Sequence, residues 1–171
     1  GKSEECRKIL EISEKDALEF YDNKKNTFFA NLNVLKAGCN FLKPHNFQEL
    51  ELLLQQSLKT YDEVLSGKTD YREEAFAHLM LGKLYHLNKK YNQAKKHYLI
   101  SEQIFEKLLK NKKIDDVSEL YKMLAILGID SQDELLIHTY SKKQLDTFGT
   151  FHPKTIEIST HLDDKKVLIP F

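Results

Sequence analysis

The chain has 171 residues, 41% of them hydrophobic and 30% charged, which is enough for one domain with a substantial core. Lys plus Arg equals Asp plus Glu at 26 each, so no global charge argues for nucleic acid or an anionic membrane as the partner. No apolar run approaches the roughly 20 residues that a membrane-spanning helix needs, and three prolines, six glycines and no tryptophan suit an all-helical chain.

Apolar spacing of three and four predicts seven or eight helices in order. Ser3 caps a first helix reaching about Asp22, with Glu4 and Glu5 in its first turn. A second runs from about Thr27 to Leu42 and stops before Pro44. A third runs from about Asn46 to Leu65 and ends at Ser66-Gly67. The fourth covers about Tyr71 to Leu87 and the fifth about Tyr91 to Leu109. The sixth is expected from about Asp115 to Leu127, ending at Gly128. The seventh is expected from about Ser131 to Phe148, ending at Gly149, and a short eighth follows Pro153, which suits a first helical turn. No segment alternates with a period of two over a useful length, so no sheet is expected. The last five residues, Val167-Leu168-Ile169-Pro170-Phe171, form an apolar run expected to pack back onto a helix face or dock into a neighbouring molecule's groove.

Cys6 and Cys39 are the only cysteines, and no CxxC pair occurs. They are read as buried or inert thiols in a reducing compartment. The start Gly1-Lys2-Ser3-Glu4 shows no secretory signal, so the expected setting is cytoplasmic or nuclear.

The most informative stretch is Leu81-Gly82-Lys83-Leu84-Tyr85, followed by Ala94, Tyr98 and Ser101. Two helices cross closely where one side chain is nearly absent, so Gly82 and Ala94 mark the contact of an antiparallel pair. Gly38 lies 44 residues before Gly82, and Ala125 lies 43 after it. The small residue follows an apolar one each time, at Ala37, Leu81 and Leu124. A nearly constant step of this size is the mark of a repeat array. The expected architecture is a half-repeat over 3–23, repeats over about 26–67, 70–112 and 115–150, and a partial repeat over 153–171.

This pattern resembles the tetratricopeptide repeat, a helix-turn-helix unit whose stacks bind other proteins. Gly149-Thr150-Phe151-His152-Pro153-Lys154-Thr155 resembles the Gly-x-x-His-Pro-x-Thr link of the kinesin light chain class, whose units are also near 42 residues. Gly67-Lys68-Thr69-Asp70-Tyr71 holds the same place after the first repeat, without His-Pro. Lys112 to Asp116 holds it after the second, without Gly or His-Pro. The third repeat is about four residues short, and its hinge lacks the Lys-Tyr-x-x-Ala pattern of Lys90 to Ala94. The resemblance implies an all-α solenoid of antiparallel helix pairs, a right-handed superhelix whose first helices line a concave groove.

On that expectation the groove carries Leu32, Leu35, Cys39 and Leu42 in the first repeat. It carries Phe76, Leu79, Lys83 and His86 in the second, and Glu119, Lys122, Ile126 and Ile129 in the third. Such a surface suits an amphipathic helix or extended peptide with apolar anchors and a few charges. Burial of Leu32, Leu35 and Leu42 by a neighbouring helix is the competing reading. Family members that grip a terminal carboxylate use clustered Lys, Asn and Arg. Here those places hold Leu35 and Cys39, with Lys83 and Lys122 as the cations, so a carboxylate clamp is not expected.

Catalytic signatures are missing. There is no Gly-rich phosphate loop, no Gly-x-Ser-x-Gly and no His-Glu-x-x-His. His78 and His86 sit on one helix face about 12 Å apart by helical rise, too far for joint ligation. His97 lies on the next helix beside Lys95 and Lys96, and His152 is expected to shape the turn before Pro153. Lysine doublets recur, at 24–25 and 89–90 among others, and read as solvated helix ends. The expected function is therefore a protein or peptide scaffold, not an enzyme, with no cofactor, metal, small-molecule substrate or membrane insertion. A regulatory part of a larger enzyme, or an RNA binder using the lysine doublets, are the alternatives.

Overall fold

The computed structural model describes residues 2–21, 26–41, 47–65, 71–109 and 115–165. All the regular structure in them is helical: α1 (Lys2–Phe20), α2 (Thr27–Asn40), α3 (Phe47–Leu65), α4 (Arg72–Leu87), α5 (Tyr91–Leu109), α6 (Asp115–Ser131), α7 (Glu134–Phe148) and α8 (Pro153–Lys165). Neighbours in sequence pair antiparallel, α2 with α3, α4 with α5, α6 with α7, and α1 lies against α2. Contacts between α2 and α4, α4 and α6, and α6 and α8 set these four helices side by side in one layer. The odd-numbered helices form the second layer, and one core of buried residues runs between the two from Ala30 to Leu162. No helix among the described residues is long and apolar enough to cross a membrane.

Local chemistry explains the boundaries. Asn26 caps α2 by accepting from Phe29 N at 3.2 Å, and Asp133 caps α7 by accepting from Leu136 N at 3.1 Å. The hinges of the second and third pairs are the same device moved by 43 residues. Lys89 and Gln132 both take φ 57°, and the next amide closes the helix end, Lys90 N to Tyr85 O at 2.9 Å and Asp133 N to Gly128 O at 2.8 Å. Gly149, with φ 87°, ends α7, and Pro153 opens α8. His152 Nδ1 accepts from Lys154 N at 3.3 Å, so this side chain does shape the turn.

The close crossing at Gly82 is present. A Cβ there would run into the ring of Tyr98, which is wholly buried, as is Ala94. Ala125 is equally buried on α6. Gly38 is not the third member. It is exposed, and a Cβ on it would meet nothing closer than Met80 Cε at 4.0 Å. Ala37, fully buried, holds the crossing position on α2 instead. The step between the first two first-helices is thus 45, one more than the glycine spacing suggests. Helix α6 also continues past Gly128 to Ser131. Gly128 is a second close approach: a Cβ there would sit 2.8 Å from Ile137 N and 2.9 Å from Leu136 Cβ.

The cysteines are not separate thiols. Helix α1 packs antiparallel on α2, brings their Cα atoms within 6.2 Å, and Cys6 and Cys39 form a disulfide. This removes the ground on which a reducing compartment was expected. Leu42, Gly67, Lys112 and Val167–Phe171 lie outside the described residues, and so do the readings placed on them.

Candidate functional site

The first-helix layer carries a groove of about 530 Å³. Helix α4 supplies Lys83, His86 and Leu87, one turn of a single face. Helix α6 supplies Glu119, Met123, Ile126 and Asp130, a stripe spaced four, three and four. Phe41 closes one end beyond α2, Lys165 of α8 closes the other, and Lys89 and Tyr91 come from the α4–α5 hinge. Phe41, Leu87, Met123 and Ile126 form the apolar wall, with Leu87 67% exposed.

Two charge clusters frame that wall. Glu119 receives Lys83 Nζ at 2.7 Å, Lys122 Nζ at 3.1 Å and Lys154 Nζ at 3.4 Å. Burial alone would raise its carboxyl pKa, but the hydrogen bonds and charges of Lys83 and Lys122 outweigh that and hold it at about 2. Lys122 also reaches Glu157 of α8 at 2.7 Å. Burial works against its charge, and the hydrogen bonds it donates to Glu157 and Glu119 reverse the balance and push its pKa up. In the second cluster Asp130 faces His86 Nε2 at 3.0 Å, His161 Nε2 at 3.3 Å and Lys165 Nζ at 3.6 Å. Burial dominates at His86 and lowers its pKa, although Asp130 opposes this. These contacts tie α4, α6 and α8 together, so most of the groove's charges are already matched within the chain. Lys89, exposed at the hinge, makes no ion pair among the described residues.

The expected groove residues divide sharply. Lys83, His86, Glu119 and Ile126 line this groove, and Lys122 stands beside it in the Glu119 cluster. Leu79 does not: it has no exposure, because its side of α4 faces the core. Leu32 is also buried, packed with Leu10, Ala17 and Phe29 under α1, and Ile129 is 4% exposed. Phe76 is partly buried against the core, and Cys39 is held in the disulfide. Leu35 is 52% exposed but is not part of the groove wall. Phe41, Leu87, Lys89, Tyr91, Met123, Asp130 and Lys165 were missed. The signal for three of them was in the sequence. Met123 and Asp130 complete the four-three-four stripe through Glu119 and Ile126, and Leu87 follows Lys83 by four. The stripe was read one residue off, through Lys122 and Ile129.

Two further histidines form a pair inside the second repeat. His78 and His97 meet Nδ1 to Nδ1 at 2.9 Å, and Tyr85 stacks on His97 with ring centroids 5.4 Å apart. Burial first, then the neighbouring His97 and Lys96, lowers the pKa of His78 to about 4. One imidazole donates and the other accepts, so at least the accepting ring is neutral. Among the described residues no group of three His, Cys, Asp or Glu side chains is placed to hold a metal ion. A smaller cavity of about 280 Å³ lies between α7 and α8, with Ser141, Leu145, Ile158 and Leu162 in its walls.

No known protein-family model matches this chain. No curated protein is similar to it in sequence.

Proposed function

We propose that this chain is a non-catalytic interaction domain, a tetratricopeptide-like helical repeat that holds a peptide or a segment of a partner protein in the groove of its first-helix layer. The observation that carries this reading is the groove itself: an apolar wall of exposed Leu87 and half-buried Met123 and Ile126, flanked by Lys89 and Lys165. Its internal ion pairs leave Lys89 at the hinge as a cation at the rim without an ion pair among the described residues. The matching ligand has one or two apolar anchors and an acidic residue beside them.

Selection of peptides from a random display library against the folded domain tests this. Selected sequences are expected to share an apolar anchor next to Asp or Glu. Ile126→Glu should weaken them about tenfold or more, the order expected for losing one buried aliphatic contact, with an unchanged circular dichroism spectrum. Lys89→Ala should weaken only the acidic ones. Peptides that bind Ile126→Glu as well as the parent would refute the assignment of this face. Leu79→Glu is not a usable groove variant, because a charge at a position without exposure unfolds the domain.

A further inference from the structure

The last described residue, Lys165, stands in the wall of the groove and reaches Asp130 Oδ1 at 3.6 Å. Helix α8 borders the groove along one stripe: Glu157 pairs with Lys122 at 2.7 Å, His161 with Asp130 at 3.3 Å, and then comes Lys165. The stripe is spaced four and four, and its next place, three further on, is Leu168. The residues after Lys165 are Lys166-Val167-Leu168-Ile169-Pro170-Phe171, five of them apolar and none acidic. The groove matches that chemistry. Its carboxylates are already paired, Glu119 with three lysines and Asp130 with two histidines and Lys165. What lies open beside them is apolar: exposed Leu87 and half-buried Phe41, Met123 and Ile126. The reach is sufficient. Ile126 and Met123 lie about 6 and 10 Å from Asp130 along α6 by helical rise, and six extended residues span up to about 20 Å.

We propose that Val167–Phe171 of this chain occupy the groove of the same molecule, lying over Ile126 and Met123 towards Leu87. This rests on the groove reading above and adds its regulation, since a partner segment then binds by displacing the tail. Leu168 is the first anchor because it continues the α8 stripe. Pro170 holds Ile169 to extended backbone, so the tail beyond Leu168 runs as a strand and carries Phe171 along the apolar wall. The cavity between α7 and α8 is not the seat: Leu168 falls about 120° round the helix from Leu162, which lines that cavity. The tail brings no acid to Lys89, whereas a partner with Asp or Glu beside its anchors gains that pair. A wholly apolar partner has no such advantage and competes against a tethered segment whose effective concentration is on the order of millimolar.

The test uses the full chain with labelled methyl groups. Nuclear Overhauser contacts are expected from Leu168 and Phe171 to the methyls of Met123 and Ile126, and should vanish in the double variant Leu168→Asp, Ile169→Asp. A synthetic peptide of residues 163–171 is the probe. It should bind that double variant about tenfold or more tightly than it binds the parent, shifting the same methyls, and adding Ile126→Glu should abolish this binding with an unchanged circular dichroism spectrum. No tail contacts in the parent, with equal peptide affinity for parent and double variant, overturns the proposal. So do contacts seen only between differently labelled copies, because the tail of a second molecule would then be the occupant. The two readings fail separately. Library-selected peptides that bind the groove of parent and double variant equally well refute the tail's seat and leave the groove reading standing. Tail contacts in the parent, with no library peptide taken up by the double variant, keep the seat and refute the groove as a partner site.

Discussion

The α4–α5 and α6–α7 pairs share a register to the residue, yet they solve the crossing differently. Gly82 becomes Ala125, Tyr98 becomes Ser141, and the stacked His78–His97 pair becomes Tyr121–Tyr140, with ring centroids 6.0 Å apart. In the earlier pair a glycine on α4 receives an aromatic ring from α5. In the later pair both residues at that level are small, and the tightest approach moves three residues towards the hinge, where Gly128 meets the backbone of α7. A repeat thus conserves where helices lie while moving the point that tolerates no side chain. The same comparison separates a pair that titrates in the acid range from one that does not.

The largest expected effect is at Gly82. Gly82→Ala forces a methyl group into a ring with no room to move and should cost about 3 kcal/mol in chemical denaturation. Tyr98→Leu should recover most of that loss, because the obstacle is a side chain. Gly128→Ala should cost roughly 2–3 kcal/mol. Ile137→Ala should not rescue it, because Ile137 N and Leu136 Cβ would still stand in the way once Ile137 Cγ1 is gone. If the second rescue works as well as the first, the two crossings are not distinct.

The histidine pair gives the next effect. Above pH 6.5 both folded and unfolded chains keep His78 neutral and nothing is lost. Below it the unfolded chain takes up a proton that the folded one refuses down to about pH 4, so stability falls through that window. The loss should reach up to about 3 kcal/mol. Hydrogen exchange should quicken in α4 and α5 before α6 and α7, where the tyrosines stay neutral. The double variant His78→Tyr, His97→Tyr, which copies the later pair, should flatten the profile. Smallest is Ser101→Ala, which removes the bond to Ala75 O and should cost about 1 kcal/mol. Gln144 at the same position of α7 bonds Ser118 Oγ at 2.8 Å instead, a side-chain version of the same tie.

The helices themselves were legible because each depends on local chemistry: a capping side chain, a glycine or proline, and spacing of three and four. Gly82 was legible because a lone glycine among large apolar residues has few other uses. Gly38 misled, since Ala37 next to it was as small and faced the core. A one-residue ambiguity in a first helix turns its stripe by about 100°. The same ambiguity placed Leu79 and Ile129 in the groove and left Met123 and Asp130 out. Lys83, His86, Glu119 and Ile126 were found because counting helical turns from Gly82 and Ala125 places them on the solvent side of their helices.

From the chain alone came the all-helical class, the order and approximate bounds of eight helices, and a repeat of 43 to 45 residues, because these follow from interactions within a few positions along the backbone. Tertiary structure decided the rest: that Cys6 meets Cys39, that His78 meets His97, that Asp130 gathers two histidines from helices on either side, and which half of each first helix faces the groove. Those partners lie 19 to 44 residues apart. Only the packing angle and rotation of whole helices, set by how buried side chains share one core, bring them within reach.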